Sequence, residues 1–208
     1  MFLPKLPGGL PYLTADNLQV LLQDHKRILN ATSYLVERGQ LIRLKRGFFV
    51  LAHHPLTEAG TLPMATIANL LYGPSYVSKQ WILSYRGVIP EFASTLTSMS
   101  LPRGKLFDTP IGRFDYCYLN RKVFHLGLLT ESIDGFSARV ATNEKALLDW
   151  LAKLPPLGTL AAVEQELVES MRIEPERLRS LDKGLVEQIA MASPRPNATL
   201  FSRYLHGL

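Results

Sequence analysis

Residues 25–51 read HKRILNATSYLVERGQLIRLKRGFFVL, and two periodicities meet inside that stretch. From His25 to about Arg38 the pattern is helical. At about 100° per residue, Ile28, Leu29, Thr32, Leu35 and Val36 share one side. Lys26, Arg27, Asn30, Ser33, Tyr34 and Arg38 share the other. Gly39 suits the left-handed position that ends a helix. The period then drops to two over Leu41-Ile42-Arg43-Leu44-Lys45. Arg46-Gly47 supplies a turn and Phe48 to Leu51 a return strand, so a β-hairpin is expected. Its alternation puts Ile42 and Leu44 on one face and Arg43 and Lys45 on the other, with Arg46 at the tip.

Upstream, Thr14 has the chemistry of an N-cap, opening a helix over about Ala15–Leu22. Gln23-Asp24 reads as a turn, Asp24 being a second cap candidate. Leu18, Leu21 and Leu22 would meet the apolar side of the longer helix. The opening residues, with Pro4, Pro7, Gly8, Gly9 and Pro11, read as an extended lead-in. Helix, turn, longer helix and basic hairpin follow one another in the order of a winged helix-turn-helix. The residue types on the outer helix face suit a DNA major groove. Arg27 and Asn30 can pair bidentately with guanine and adenine, and Ser33 and Tyr34 can reach base edges. Lys26 and Arg38 are assigned to phosphates, which set position rather than sequence. Arg43, Lys45 and Arg46 form a basic wing for phosphates or the minor groove. Because only thirteen residues precede Thr14, this module is expected to borrow part of its core from the rest of the chain.

Charge follows the same division. The 208 residues carry a net charge of +5. Seven Lys/Arg stand against three Asp/Glu in residues 1–52, whereas six stand against seven in residues 155–208. A basic module ahead of a near-neutral body points to a polyanion partner. Apolar residues make up 47% of the chain and charged ones 20%, values for a globular protein rather than a disordered one. No apolar run reaches the ~20 residues that cross a bilayer, and the start Met-Phe-Leu-Pro-Lys lacks the pattern of a signal peptide. A cytoplasmic protein with no membrane partner is expected.

The reading thus divides the chain into a winged helix-turn-helix over 1–52, a linker over 52–62 and a second domain over 64–208. Helices are expected over 64–72 and 77–86, a β core over about 93–141, a helix capped by Thr142 over 143–154, and short helices beyond. The fold class is α+β: an N-terminal winged helix-turn-helix, then a mixed domain with a β core and C-terminal helices.

Several segments carry a family resemblance. VERGQLIRLKRGFFVL (Val36–Leu51) closes the first module. YVSKQWILSYRGVIPE (Tyr76–Glu91), Thr95 and Thr97, FDTPIGRFDYCYL (Phe107–Leu119) and ATNEKALLDWL (Ala141–Leu151) follow. In that order they resemble AbiEi-type antitoxins over roughly residues 14–154. The resemblance implies the antitoxin half of a type IV toxin–antitoxin pair that represses its own promoter at inverted repeats, with a nucleotidyltransferase-like toxin as partner. Thr142-Asn143 stands where that family often has a proline before the Glu-Lys pair.

Other chemistry finds little support. The five histidines (25, 53, 54, 125, 206) show no ligand spacing on a helix. No phosphate-binding loop or nucleophile elbow occurs, so no metal, cofactor or catalytic residue is assigned. The single cysteine, Cys117, reads as a structural thiol. Two alternatives remain. In a nuclease-like enzyme tethered to DNA, Asp108, Asp115 and Glu144-Lys145 would form the site. However, the Glu and Lys lack the usual intervening residue and open a helix, and Lys145 and Asp149 read as a surface i,i+4 pair. In a protein-interaction module with a residual DNA anchor, Tyr76, Trp81 and Tyr85 would form an exposed patch. The plainer reading of Trp81 and Tyr85 is core.

Overall fold

The computed structural model describes residues 9–17 and 25–208, with backbone alone for 25–29. The expected first helix beyond residue 17, the Gln23-Asp24 turn and the side chains of Lys26 and Arg27 lie outside the described residues. Among the described residues the protein is mixed α+β with two sheets.

The smaller sheet contains β1 (Tyr12–Thr14), β2 (Leu41–Lys45) and β3 (Phe48–Leu51), all antiparallel in the order β1-β3-β2. Tyr12–Thr14 was expected to be lead-in, yet it pairs with Phe48–Val50. Thr14 ends that strand and starts a helix. The Asn17 amide donates to Thr14 Oγ1 at 3.3 Å, and the Thr14 amide donates to Asn17 Oδ1 at 3.0 Å. This is a reciprocal capping box with Asn in place of the usual Glu or Gln. Helix α1 (His25–Glu37) ends as its Gly39 predicts. Gly39 has φ +66°, the Gln40 amide donates to the Leu35 carbonyl, and the Gly39 amide donates to that of Val36. That pair of bonds satisfies two carbonyls of the last turn of the helix.

Both faces of this sheet are covered. On one, Leu13, Leu41 and Phe49 bury against Leu35 of α1, with Val36 and Leu51 at the margin. On the other, Leu44, Phe48 and Val50 join the large core formed by the rest of the chain. The module therefore does lean on its neighbour for apolar cover. The core runs past residues 52–62, where Pro55–Glu58 forms a short helix, α2, instead of plain linker. His54 caps it by accepting the Leu56 amide at 3.2 Å.

The larger sheet has six strands in the order β6-β7-β5-β4-β9-β8. They are β4 (Ser75–Val77), β5 (Leu96–Ser100), β6 (Lys105–Thr109), β7 (Gly112–Tyr118), β8 (Leu128–Ile133) and β9 (Phe136–Ala141). The β5–β7 and β4–β9 pairs are parallel and the others antiparallel. Helix α3 (Met64–Leu71) packs on β9 and β4, and Tyr116 of β7 donates its hydroxyl to the Ala68 carbonyl at 2.7 Å. The helix expected from Val77 starts later. Val77 belongs to β4, and α4 spans Lys79–Tyr85. The short α5 (Arg121–Phe124) interrupts the β region.

Thr142 caps α6 (Asn143–Leu151) by accepting the Lys145 amide at 3.2 Å. After it come α7 (Leu160–Glu164), whose path widens into a π-helical turn over Gln165–Ser170, then α8 (Pro175–Arg179), α9 (Lys183–Ala192) and α10 (Pro196–His206). Helices α4, α9 and α10 pack on α6. Buried Asn197 ties the chain leaving α6. Its Nδ2 donates to the Leu151 and Pro155 carbonyls at 2.8 and 2.9 Å, and its Oδ1 accepts the Leu157 amide at 2.9 Å. No helix among the described residues is long and apolar enough to cross a membrane.

Candidate nucleic-acid interface

From Asn30 onward, helix α1 sorts its described side chains as its periodicity predicts. Ala31, Thr32 and Leu35 are buried, whereas Asn30, Ser33, Tyr34, Glu37 and Arg38 face solvent. Tyr34 is 43% exposed, and the Arg38 guanidinium lies over its ring at 5.2 Å from the centroid. A phenol and a cation are thus held together on the outer face. Glu37 is the one acidic member of that face among the described side chains.

The hairpin divides its three cations. Arg46 is exposed at the turn. Arg43 is exposed and lies over the ring of Phe49, its cross-strand partner, at 5.6 Å. Lys45 does not share that face. The register slips between Arg43 and Lys45, so that Lys45 pairs with Phe48. One extra residue in a strand rotates everything after it. The Lys45 ammonium instead donates to the Leu71 carbonyl at the end of α3. Burial first, and then the charge of Lys105, hold it below the usual lysine range. The expectation that Arg43 and Lys45 point the same way is corrected: Lys45 fastens the hairpin to the body, and Arg43 and Arg46 remain as its outward cations.

A second polar constellation lies in the body, where sequence reading placed surface groups. Lys145 and Asp149 are 0% and 1% exposed, with Nζ and Oδ1 2.8 Å apart. Asp149 Oδ2 accepts from the hydroxyls of Tyr76 at 2.8 Å and Ser78 at 2.7 Å. Burial, then the charge of Asp149, push the Tyr76 phenol well above its ordinary range. The surface pair is therefore corrected to a buried ion pair. Such a pair persists only because hydrogen bonds replace the lost hydration of the carboxylate. Tyr76, read as a possible surface aromatic, is fully buried. Trp81 and Tyr85 stack at 5.5 Å with rings 9° apart. Trp81 packs against the core and Tyr85 is 48% exposed.

Ser78 is the cap residue of α4, but its hydroxyl is committed to Asp149. Thr97 of β5 serves in its place: its hydroxyl donates to the Ser78 carbonyl at 2.6 Å and accepts the Trp81 amide at 3.3 Å. The next residue, Lys79, has φ +59°. That backbone region costs a non-glycine residue roughly 1–2 kcal/mol. It turns a 5% exposed lysine inward, where Nζ lies 3.0 Å from Cys117 Sγ and 3.5 Å from Asp115 Oδ2.

The four residues of the nuclease alternative are dispersed among different partners. Asp108 pairs with Arg113 at 2.8 Å, and Asp115 faces Lys79. Glu144 accepts the Asp182 amide at 3.1 Å, and Lys145 is enclosed with Asp149. Among the described residues, no three His, Cys, Asp or Glu side chains gather to hold a metal ion. An open cleft of about 370 Å³ lies between α6 and the segment 91–95, lined by Trp150, Glu166, Thr97 and Glu91. The Trp150 indole donates to Glu166 at 2.8 Å within it. No protein-family model matches the chain, and no curated protein sequence matches it.

Proposed function

We propose that the N-terminal module, residues 1–52, is a winged helix-turn-helix that reads double-stranded DNA, and that the protein is a sequence-specific transcriptional repressor. The observation that carries this reading is the juxtaposition on one module of two outward features. Helix α1 presents Asn30, Ser33, Tyr34 and Arg38 to solvent, and the hairpin after it presents Arg43 and Arg46. The apolar side of that helix is buried on the sheet through Leu35. The polar side is thereby free for a groove, and the hairpin cations for phosphates. The leading strand β1 strengthens the reading, because it joins the start of the first helix to the far strand of the wing. Lys26 and Arg27 belong to the proposed surface by their place on α1. Lys45 acts as the anchor of the wing.

The order of segments from Val36 to Leu151 adds the biological setting. It resembles AbiEi-type antitoxins, so the proposed operator is an inverted repeat in the promoter of the protein's own gene, and the proposed partner is a nucleotidyltransferase-like toxin. Residues 64–208 are then the antitoxin body.

The deciding experiment measures binding to the DNA upstream of the gene, with a scrambled duplex as control, at two salt concentrations. Tight binding confined to the upstream DNA supports a repressor. Equal, weak binding to both duplexes overturns sequence-specific reading.

A further inference from the structure

We propose that Lys79 and Cys117 form an oxidant-dependent covalent clasp, a sulfur–nitrogen bond joining the start of α4 to strand β7. Four features converge on this pair. The amine nitrogen and the sulfur are 3.0 Å apart, already at contact distance. Lys79 is held there by a left-handed backbone and is nearly enclosed, so its amine has few other places to go. The Asp115 carboxylate lies 3.5 Å from the amine and 3.7 Å from the sulfur, within reach of a proton from either. Cys117 itself is partly exposed, which admits a small oxidant. This arrangement is independent of the proposed DNA-binding surface.

The oxidant is a peroxide. Cys117 Sγ attacks one peroxide oxygen, the O–O bond breaks, and the thiol proton leaves with the departing oxygen as water. Cysteine is now a sulfenic acid, two electrons more oxidised, and the peroxide is reduced. Lys79, after giving a proton to Asp115, attacks the same sulfur. The S–N bond forms and the S–O bond breaks. The displaced hydroxide takes the second amine proton and leaves as a second water. In sum, one thiol, one ammonium and one hydrogen peroxide give one sulfenamide, two waters and one proton. Sulfenic acids condense with backbone nitrogens in the same way. A thiol reductant reverses the bond by attacking its sulfur.

The test treats the full-length protein with hydrogen peroxide and reads the intact mass and a tryptic digest. The clasp predicts a loss of about 2 Da, from two hydrogens removed and no oxygen kept. It also predicts loss of cleavage after Lys79, a cross-linked peptide joining Lys79 to Cys117, and return to the starting mass with dithiothreitol. Cys117→Ser and Lys79→Arg both abolish the loss of mass. The arginine variant keeps a cation beside the sulfur and so guards against a simple failure to fold. A product that keeps oxygen on Cys117 while Lys79 stays free overturns the proposal. So does a disulfide between two chains, or a thiol left unmodified when exposed methionines are oxidised.

Discussion

Lys145 and Asp149 stand one turn apart on α6 and meet at 2.8 Å with neither side chain reaching solvent. The same spacing on an exposed helix is worth a few tenths of a kcal/mol. In the interior its meaning changes, because the lost hydration of each charge is replaced by the other charge and by the hydroxyls of Tyr76 and Ser78.

Removing one member should be costly. Lys145→Met leaves the Asp149 carboxylate buried without its cation and is expected to lower stability by ~3–5 kcal/mol. The double variant Lys145→Met/Asp149→Leu should recover much of that loss. Urea denaturation of the three proteins checks both expectations. A single variant as stable as the parent would show that the pair is hydrated in solution.

Alkaline pH should weaken the fold through its buried phenols. Tyr76 and Tyr116 are held above the ordinary tyrosine range, Tyr116 by burial and Tyr76 by burial and then by Asp149. An unfolded tyrosine ionises near pH about 10. Above that pH the unfolded chain releases phenolic protons that the folded chain keeps, so this contribution, whole below pH about 10, is lost as pH rises further. Denaturant midpoints from pH 8 to 11 should fall at the alkaline end, and less steeply in Tyr116→Phe. An equal slope in that variant would remove Tyr116 as a cause.

On the proposed DNA surface, base readers and phosphate contacts should separate. Arg27→Ala or Asn30→Ala is expected to weaken specific binding by ~1–3 kcal/mol and to relax sequence preference. Arg43→Ala or Arg46→Ala should weaken binding to all sequences alike and reduce the salt slope by ~1. Titrations on operator and scrambled DNA distinguish the two classes. A salt slope unchanged by both hairpin variants would argue against a phosphate-contacting wing.

Lys45 provides the internal control. Its ammonium is occupied by the Leu71 carbonyl, so Lys45→Met should leave the salt slope of DNA binding within error of the parent. Instead it should loosen the hairpin, visible as faster amide exchange over residues 41–51. A slope that drops as it does for Arg43→Ala would return Lys45 to the phosphate contacts.

Local chemistry alone determined a good part of this molecule. The burial of Thr32 and Leu35 on α1, its stop at Gly39, the hairpin turn at Arg46-Gly47 and the cap at Thr142 depend on residues within a few positions of one another, so spacing reveals them. The exposed polar face of α1 followed from the same spacing. Other features required contacts between distant segments. Tyr12–Thr14 is a strand because Phe48–Val50 offers it a ladder, and the residue types of a short edge do not announce a partner more than thirty positions away. Lys45 left the face of Arg43 through a one-residue slip in register, to which a strictly alternating sequence gives no clue. Lys145 and Asp149 looked like surface charges because burial is a property of what packs over a helix, here α4, α9 and α10. The meeting of Lys79 with Cys117, thirty-eight positions apart, was decided in the same way. A parallel pairing of β5 with β7 and the left-handed turn at Lys79 bring the two groups together, and neither can be read from the residues alone.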